Sequence, residues 1–402
     1  MKSTSKFICM LILFTTVISC KTETNKTDYL NKVLNNLEKI ESAVYHENRE
    51  VWQPGDTTVT SAYCRFVKEY DNPSDTTIGA SFVSFKCEDT TILEFAYDGK
   101  VRALVDHEDK VITIDNFTTR SLPFRPVSPP FFNRTKNIIQ YALTTEDSIT
   151  VDLIDNADHY HFKLTINEDR QVEFFGKACH MPENPYAFGE TTSIYEIWIN
   201  KKDNLPYKVR REMPHETTST TCSNVEFNKL SIDDFSIYEY FPADYDIKKY
   251  GESSGKRKES DLVGKKAPDW VLNDKNEQSV SLSSFKGKVL LIQFTGIGCG
   301  PCHASIPTLK TIKEKYDPEK FELVAIETWT RKPHSLQVYS NKNDLNYNLL
   351  SATDEVIKDY QTGGAAPVYF ILDKQQIVQK VTSGYGKTTT ENELMDAIDK
   401  LL

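Results

Sequence analysis

The sequence predicts two domains of different class, a β-rich α+β half followed by a compact α/β domain. Three observations carry this. From about Val51 to Tyr250, short runs of β-branched and aromatic residues alternate with turn residues, as in "TVTSAYCRFVKEY" and "HYHFKLTINEDRQVEFF". The stretch "IKKYGESSGKRKESD", Ile247 to Asp261, is poor in apolar residues and rich in Gly, Ser and charge, as a flexible linker is. Beyond it, continuous apolar runs alternate with segments of helical spacing, the pattern of a layered α/β arrangement.

The chain has 402 residues, enough for two domains with their own cores. Its 39% hydrophobic and 26% charged residues describe a globular protein, and a formal net charge of −10 argues against a nucleic-acid partner. At the start, Lys2 and Lys6 precede an apolar run from Phe7 to Ile18, too short for a membrane span but suited to a signal. The run ends in Val17-Ile18-Ser19-Cys20, which resembles the lipobox of bacterial lipoproteins. That resemblance implies a signal peptide over 1–19, acyl chains on Cys20, and a protein anchored by lipid in the bacterial cell envelope, facing the periplasm or the surface. The expected organisation is then 1–19 signal, 20–246 β-rich domain, 247–262 linker and 263–402 α/β domain.

In the β-rich domain Leu30, Val33, Leu34, Leu37 and Ile40 recur on one face, predicting a helix over Thr27 to Tyr45. Asp98-Gly99 between two apolar runs predicts a hairpin. Further strands are expected at Ile194–Ile199, Tyr207–Glu212 and Cys222–Leu230, giving an antiparallel sheet curved around its N-terminal helix. The "YDGK" turn and "WINKKDNLPYKV" resemble the half-barrel domains of the envelope lipoprotein-carrier group, which implies an apolar concavity. Cys64, Cys87, Cys179 and Cys222 form an even set in an exported domain. Three pairings are open; nearest neighbours, Cys64–Cys87 and Cys179–Cys222, are the expectation.

After the linker, strands are predicted at Val289–Thr295, Phe321–Glu327, Val368–Leu372 and Ile377–Thr382. Helices are predicted at His303–Tyr316, Ser335–Lys342, Asp354–Tyr360 and Thr390–Leu402. The chemistry lies in "FTGIGCGPCHASIP". Cys299 and Cys302 have the spacing of a redox dithiol, and Cys299 to His303 also has the spacing that attaches a c-type haem. Covalent haem needs a second axial ligand, and neither Met181, Met213 nor Met395 stands in a suitable loop, so no cofactor and no metal are expected. A dithiol after a buried strand, opening a helix, has a mechanical reason: the free N–H groups and dipole of the helix start stabilise a thiolate at Cys299. Cys302, one turn in, can then resolve the mixed disulfide. His303 is expected as an exposed first-turn residue.

Residues 263–402 resemble the membrane-anchored thioredoxin-like proteins of the TlpA and ResA group. The likeness rests on "VGKKAPDWVLNDKNEQSVSLSSFKGKVLLIQF", the CGPC motif, Pro307 at the helix-kink position, and "GGAAPVYFILDKQQIV". It implies a thiol–disulfide oxidoreductase with Cys299 and Cys302 as its redox disulfide and Pro367 as a cis-proline beside them. Its partners would be disulfide-bearing client proteins and a transmembrane thiol donor of electrons. Two tryptophan positions common in the group are Thr295 and Gly298 here, which implies a flatter, more accessible site. The buried carboxylate that thioredoxin itself carries on the first core strand is Gln293 here, and the helix glutamate frequent in the anchored group is Ser305, leaving Glu327 or water as the expected proton acceptor for Cys302. Those departures keep a second reading open, a client- or lipid-binding protein with a redox-auxiliary module.

Overall fold

The computed structural model describes residues 25–402 apart from 53–56, 119–126, 182–190, 192, 215 and 251–259. The expected signal and Cys20 lie outside the described residues, as does most of the expected linker. Among the described residues no helix is long and apolar enough to cross a membrane.

Helix α1 (Lys26–Leu37) is capped by Asn25, whose side chain accepts the Thr27 N–H, and it buries Tyr29, Leu30, Val33 and Leu37. It stops well short of Tyr45, the expected end. From Ser42 the apolar period changes from helix to strand, Ala43 and Tyr45 point inward, and β1 (Ser42–Trp52) pairs on both edges.

The following strands are β2 (Ser61–Asp71), β3 (Ala80–Lys86), β4 (Leu93–Tyr97), β5 (Arg102–Asp106) and β6 (Val111–Asp115). Helix α2 (Phe131–Thr144) interrupts them before β7 (Ile149–Asp155), β8 (His159–Ile166), β9 (Val172–Phe174) and β10 (Ala178–His180). Then come β11 (Ile194–Asn200), β12 (Leu205–Glu212), β13 (Thr217–Phe227) and β14 (Asp246–Lys249). Twelve of these form one sheet in the order β14-β6-β5-β4-β3-β2-β1-β13-β12-β11-β8-β7, while β9 and β10 pair separately. Every pairing in the large sheet is antiparallel except β14 with β6. Asp98-Gly99 lies in the β4–β5 connection, where Gly99 takes φ 93°, a conformation that favours glycine.

Helix α2 was not anticipated. Phe131, Phe132, Thr135, Ile138 and Ile139 are buried along one face, but Pro129-Pro130 and the strand-rich surroundings mask that spacing in the sequence. Its start is capped from another element: Glu69 of β2 accepts the N–H groups of Phe132 (3.1 Å) and Asn133 (2.7 Å) and the Tyr45 hydroxyl (2.8 Å). Residues of α1 and α2 share one core with the inward side chains of β1, β2, β8 and β11 to β13. One face of this part of the sheet is therefore covered by the chain's own two helices.

Two sequence expectations need correction. Cys64 and Cys87 are joined across β2 and the end of β3, Cα–Cα 5.6 Å, but Cys179 and Cys222 are free thiols. Cys179 lies on the separate β9–β10 ribbon, half-buried, whereas Cys222 on β13 faces the helix-filled core. The linker is also shorter than 247–262: Ile247 to Lys249 belong to β14, and Leu262 packs into the second domain's core.

The second domain contains β15 (Val271–Asp274), β16 (Ser279–Ser281), β17 (Val289–Thr295), α3 (Gly300–Lys315), β18 (Phe321–Glu327) and α4 (Pro333–Lys342). It continues with β19 (Asn348–Ser351), α5 (Asp354–Asp359), β20 (Val368–Leu372), β21 (Val378–Ser383) and α6 (Lys387–Asp399). The sheet order is β16-β15-β19-β18-β17-β20-β21, with β17, β18 and β19 parallel and β20 antiparallel to β17. This is the expected thioredoxin-like arrangement, with four-residue β19 as an unanticipated addition. All seven residues of β17 are buried. Leu290, Ile292 and Phe294 face one core, which includes Trp270 and Tyr360; Val289 and Leu291 face the other, under α3, α4 and α6. Burial on both faces is why the strand reads as a continuous apolar run.

Candidate active site

Central β17 ends at Thr295, and Gly296, Ile297 and Gly298 carry the chain to α3. Gly298 has φ 89°, where a side chain would be strained. Cys299 is the N-cap of α3, and its Sγ accepts the Cys302 N–H at 3.2 Å. Pro301 stands in the first turn, where a missing N–H costs nothing. Cys299 and Cys302 are joined in a disulfide, Cα–Cα 5.2 Å. A sulfur placed at a helix start with an N–H aimed at it gains stability as a thiolate, so the geometry favours Cys299 both as attacking and as leaving group.

Pro367 follows a cis peptide bond from Ala366 and directly precedes β20. Phe294 pairs with Val368, so the loop to Cys299 and the loop before Pro367 emerge at the same end of the sheet. The Pro367 carbonyl accepts the Gly384 N–H at 2.8 Å. The structure thus gathers Cys299, Cys302 and Pro367 in one region, while Cys64, Cys87, Cys179 and Cys222 belong to the other domain.

The expected accessible site is not found: Cys299 is 4% exposed and Cys302 1%. An aromatic ring does reach the loop before Cys299, that of Trp329 in the loop after β18. A Cβ added to Gly296 would stand 2.4 Å from the Trp329 ring, so that ring lies directly on the Gly296 backbone. The indole N–H donates to the Gly364 carbonyl at 2.8 Å, in the loop leading to Pro367. Sequence reasoning missed Trp329; its only local signal is an aromatic residue just beyond a buried strand.

Glu327, the last residue of β18, is fully buried. Its carboxylate accepts the N–H groups of Ile297 (2.6 Å), Trp329 (2.7 Å) and Thr330 (2.8 Å). Burial pushes its pKa up to about 7, against the pull of these three donors. One oxygen holds the loop before Cys299 and the other the loop after β18.

Beneath the first turn of α3, Gln293 and Ser305 meet. Gln293 Nε2 donates to Ser305 Oγ at 2.8 Å, and Ser305 donates to the Cys302 carbonyl at 2.6 Å. The Tyr369 hydroxyl completes this buried group, 3.4 Å from Gln293 Nε2. Gln293 and Ser305 are therefore neighbours in space and form a neutral pair. His303 is half-buried rather than exposed, hydrogen-bonded to Asn343 Oδ1 at 2.9 Å. Burial lowers its pKa, which keeps the imidazole neutral and weakens it as a cationic aid to the thiolate.

Away from the dithiol, Asp147, Glu168 and His180 bring ligand atoms within 4.8 Å of one another. Hydrogen bonds from Tyr141 and His180 to Asp147 account for much of this cluster.

Residues 263–381 match the AhpC/TSA family, and this region is a thioredoxin-like domain. The thiol-disulfide oxidoreductase ResA of Bacillus cereus is 25% identical over 162 residues, 40% of this chain and 85% of that protein. ResA of Bacillus subtilis (strain 168) is 28% identical over 139 residues, 35% of this chain and 75% of that protein. Among solved structures, a thiol:disulfide interchange protein of the thioredoxin family from Chlorobium tepidum TLS has a TM-score of 0.30 and 20% identity, covering 34% of this chain and 94% of its own.

Proposed function

We propose that this protein is a thiol–disulfide oxidoreductase of the cell envelope, acting as a reductase of protein disulfides through Cys299 and Cys302. In the reduced enzyme the Cys299 thiolate attacks a client disulfide, forming a Cys299–client bond and releasing one client thiolate. The Cys302 thiolate then attacks Cys299 Sγ, closing the intramolecular disulfide and releasing the second client thiolate. Two electrons pass from the dithiol to the client, and a membrane dithiol returns them by the reverse exchange. Pro367 shapes the backbone against which the client chain lies.

The observation that carries this reading is the placement of Cys299 as N-cap of α3, its sulfur accepting the Cys302 N–H. Its similarity to proteins named thiol-disulfide oxidoreductases agrees. Anchoring through Cys20 after loss of 1–19 rests on the lipobox-like Val17-Ile18-Ser19-Cys20. Cys302→Ser is the decisive variant: it should accumulate clients as mixed disulfides on Cys299, released by reductant. Failure to trap any client, together with insulin-disulfide reduction undiminished in Cys299→Ser, would end the proposal. Radiolabelled fatty acid incorporated by the full chain, and lost in Cys20→Ala, tests the anchor.

A further inference from the structure

We infer that Trp329 is a positioning residue of the dithiol, clamping the loop before Cys299 to the loop before Pro367; this rests on the oxidoreductase reading above.

Three loops meet at the end of the sheet where Cys299 lies: Gly296–Gly298 after β17, Thr328–Arg331 after β18, and Gly363–Ala366 before β20. Trp329, in the second, is tied to the other two. Its backbone N–H is held by one oxygen of Glu327, whose other oxygen holds Ile297 in the first loop. Its ring rests on Gly296, at a position where even a methyl group would overlap the indole Cδ2 and Cε3 atoms at 2.4 and 2.5 Å. Its indole N–H reaches Gly364 in the third loop. Glycine at 296 and tryptophan at 329 are thus shape-complementary: the missing side chain is the seat of the ring. The residue is 48% exposed, so the ring is not simply a core residue.

This arrangement has a functional consequence. Exchange with a protein disulfide needs two things held in register: the Cys299 sulfur, and the backbone beside Pro367 that receives the client chain. Sheet pairing fixes Phe294 against Val368, but the loops that carry the two reactive features extend beyond it. Trp329 spans that gap from a third strand. A small aromatic disulfide requires only the Cys299 sulfur and makes no use of the register.

The experiment compares two substrates in the full chain, insulin and a small aromatic disulfide. Trp329→Ala should lower kcat/KM on insulin about tenfold, the effect of roughly 1.4 kcal/mol in the transition state, and change the small disulfide by less than about twofold. Trp329→Phe keeps the ring and loses the Gly364 bond, so it should lose about threefold on insulin, near the net worth of one hydrogen bond. Gly296→Ala unseats the ring and should match Trp329→Ala. The double variant Gly296→Ala/Trp329→Ala should lose no more than either alone, because both remove one interaction. Thermal unfolding of each variant identifies any that do not fold, in which case Trp329→Phe carries the comparison. Equal losses on both substrates, additive losses in the double variant, or a wild-type-like Trp329→Ala would each overturn the inference. A wild type inert toward both disulfides would instead remove the oxidoreductase reading, and this inference with it.

Discussion

The two disulfides among the described residues sit in contrasting surroundings. Cys64 and Cys87 face each other across antiparallel β2 and the end of β3, both half-buried, with 23 residues of sequence separation. Cys299 and Cys302 share one helical turn, separated by 3, and are almost wholly buried. Exposure alone would assign the proposed roles the wrong way round. The difference lies in what the sulfur meets when the bond opens. At Cys299 a helix start offers an N–H and a favourable dipole to a departing thiolate, whereas Cys64 lies within strand β2 and caps no helix. Closing the longer loop restricts the unfolded chain by about 3 kcal/mol, and the one-turn loop by about half that. One bond suits a structural crosslink and the other suits exchange.

The comparison breaks most visibly by substitution. Cys299→Ser should abolish insulin-disulfide reduction, while Cys64→Ala/Cys87→Ala should leave the rate within about twofold and lower unfolding stability by about 3 kcal/mol, read by urea titration. Redox titration with thiol alkylation and mass spectrometry should separate the two next. The Cys299–Cys302 couple is expected between about −120 and −270 mV, the range of dithiol catalysts, and Cys64–Cys87 below about −300 mV. A shared midpoint would remove the distinction.

A buried glutamate in each domain sharpens the contrast further. Glu69 caps α2 and Glu327 ties the loops around Cys299, and burial pushes both up to about 7. Each therefore binds its proton more tightly folded than unfolded, where carboxyls titrate near ~4.3. The stability this contributes is fully present below about pH 4.5 and is lost as pH rises through about 7, by up to about 3 kcal/mol per group. Glu69→Gln and Glu327→Gln should each flatten the stability–pH curve in that window, read by denaturant titration at several pH values. Glu327→Gln should leave the pH profile of the exchange rate unchanged in shape if the carboxylate only holds the loops; a changed profile would make it the proton acceptor of Cys302. The smallest effect concerns the free thiols. Burial raises the Cys222 thiol well above its usual range, so iodoacetamide should label half-buried Cys179 in the native protein and Cys222 only on unfolding.

Much of the second domain was legible because its signals are local. A seven-residue apolar run, a cysteine pair at the start of a helix and a proline before a buried strand need no distant partner to be read. The first domain was less so. Tyr45 was drawn into a helix because an apolar residue at helical spacing is ambiguous until the sheet claims it. Helix α2 was missed because its cap, Glu69, stands 63 and 64 residues away from the N–H groups it serves. The Cys179–Cys222 expectation failed for a related reason: spacing says nothing about which face of which sheet a cysteine occupies.

By itself, then, the sequence determined the dithiol, its strand and helix, and the class of each domain, since these follow from residue type and short-range period. Only the tertiary structure decided how the loops at the site are tied together and what lies beneath it. Gly296 and Trp329 are complementary, and Gln293 and Ser305 are one neutral pair, only because β17 lies beside β18 and under α3. Such contacts join segments with independent local patterns, and no local pattern records that they will meet.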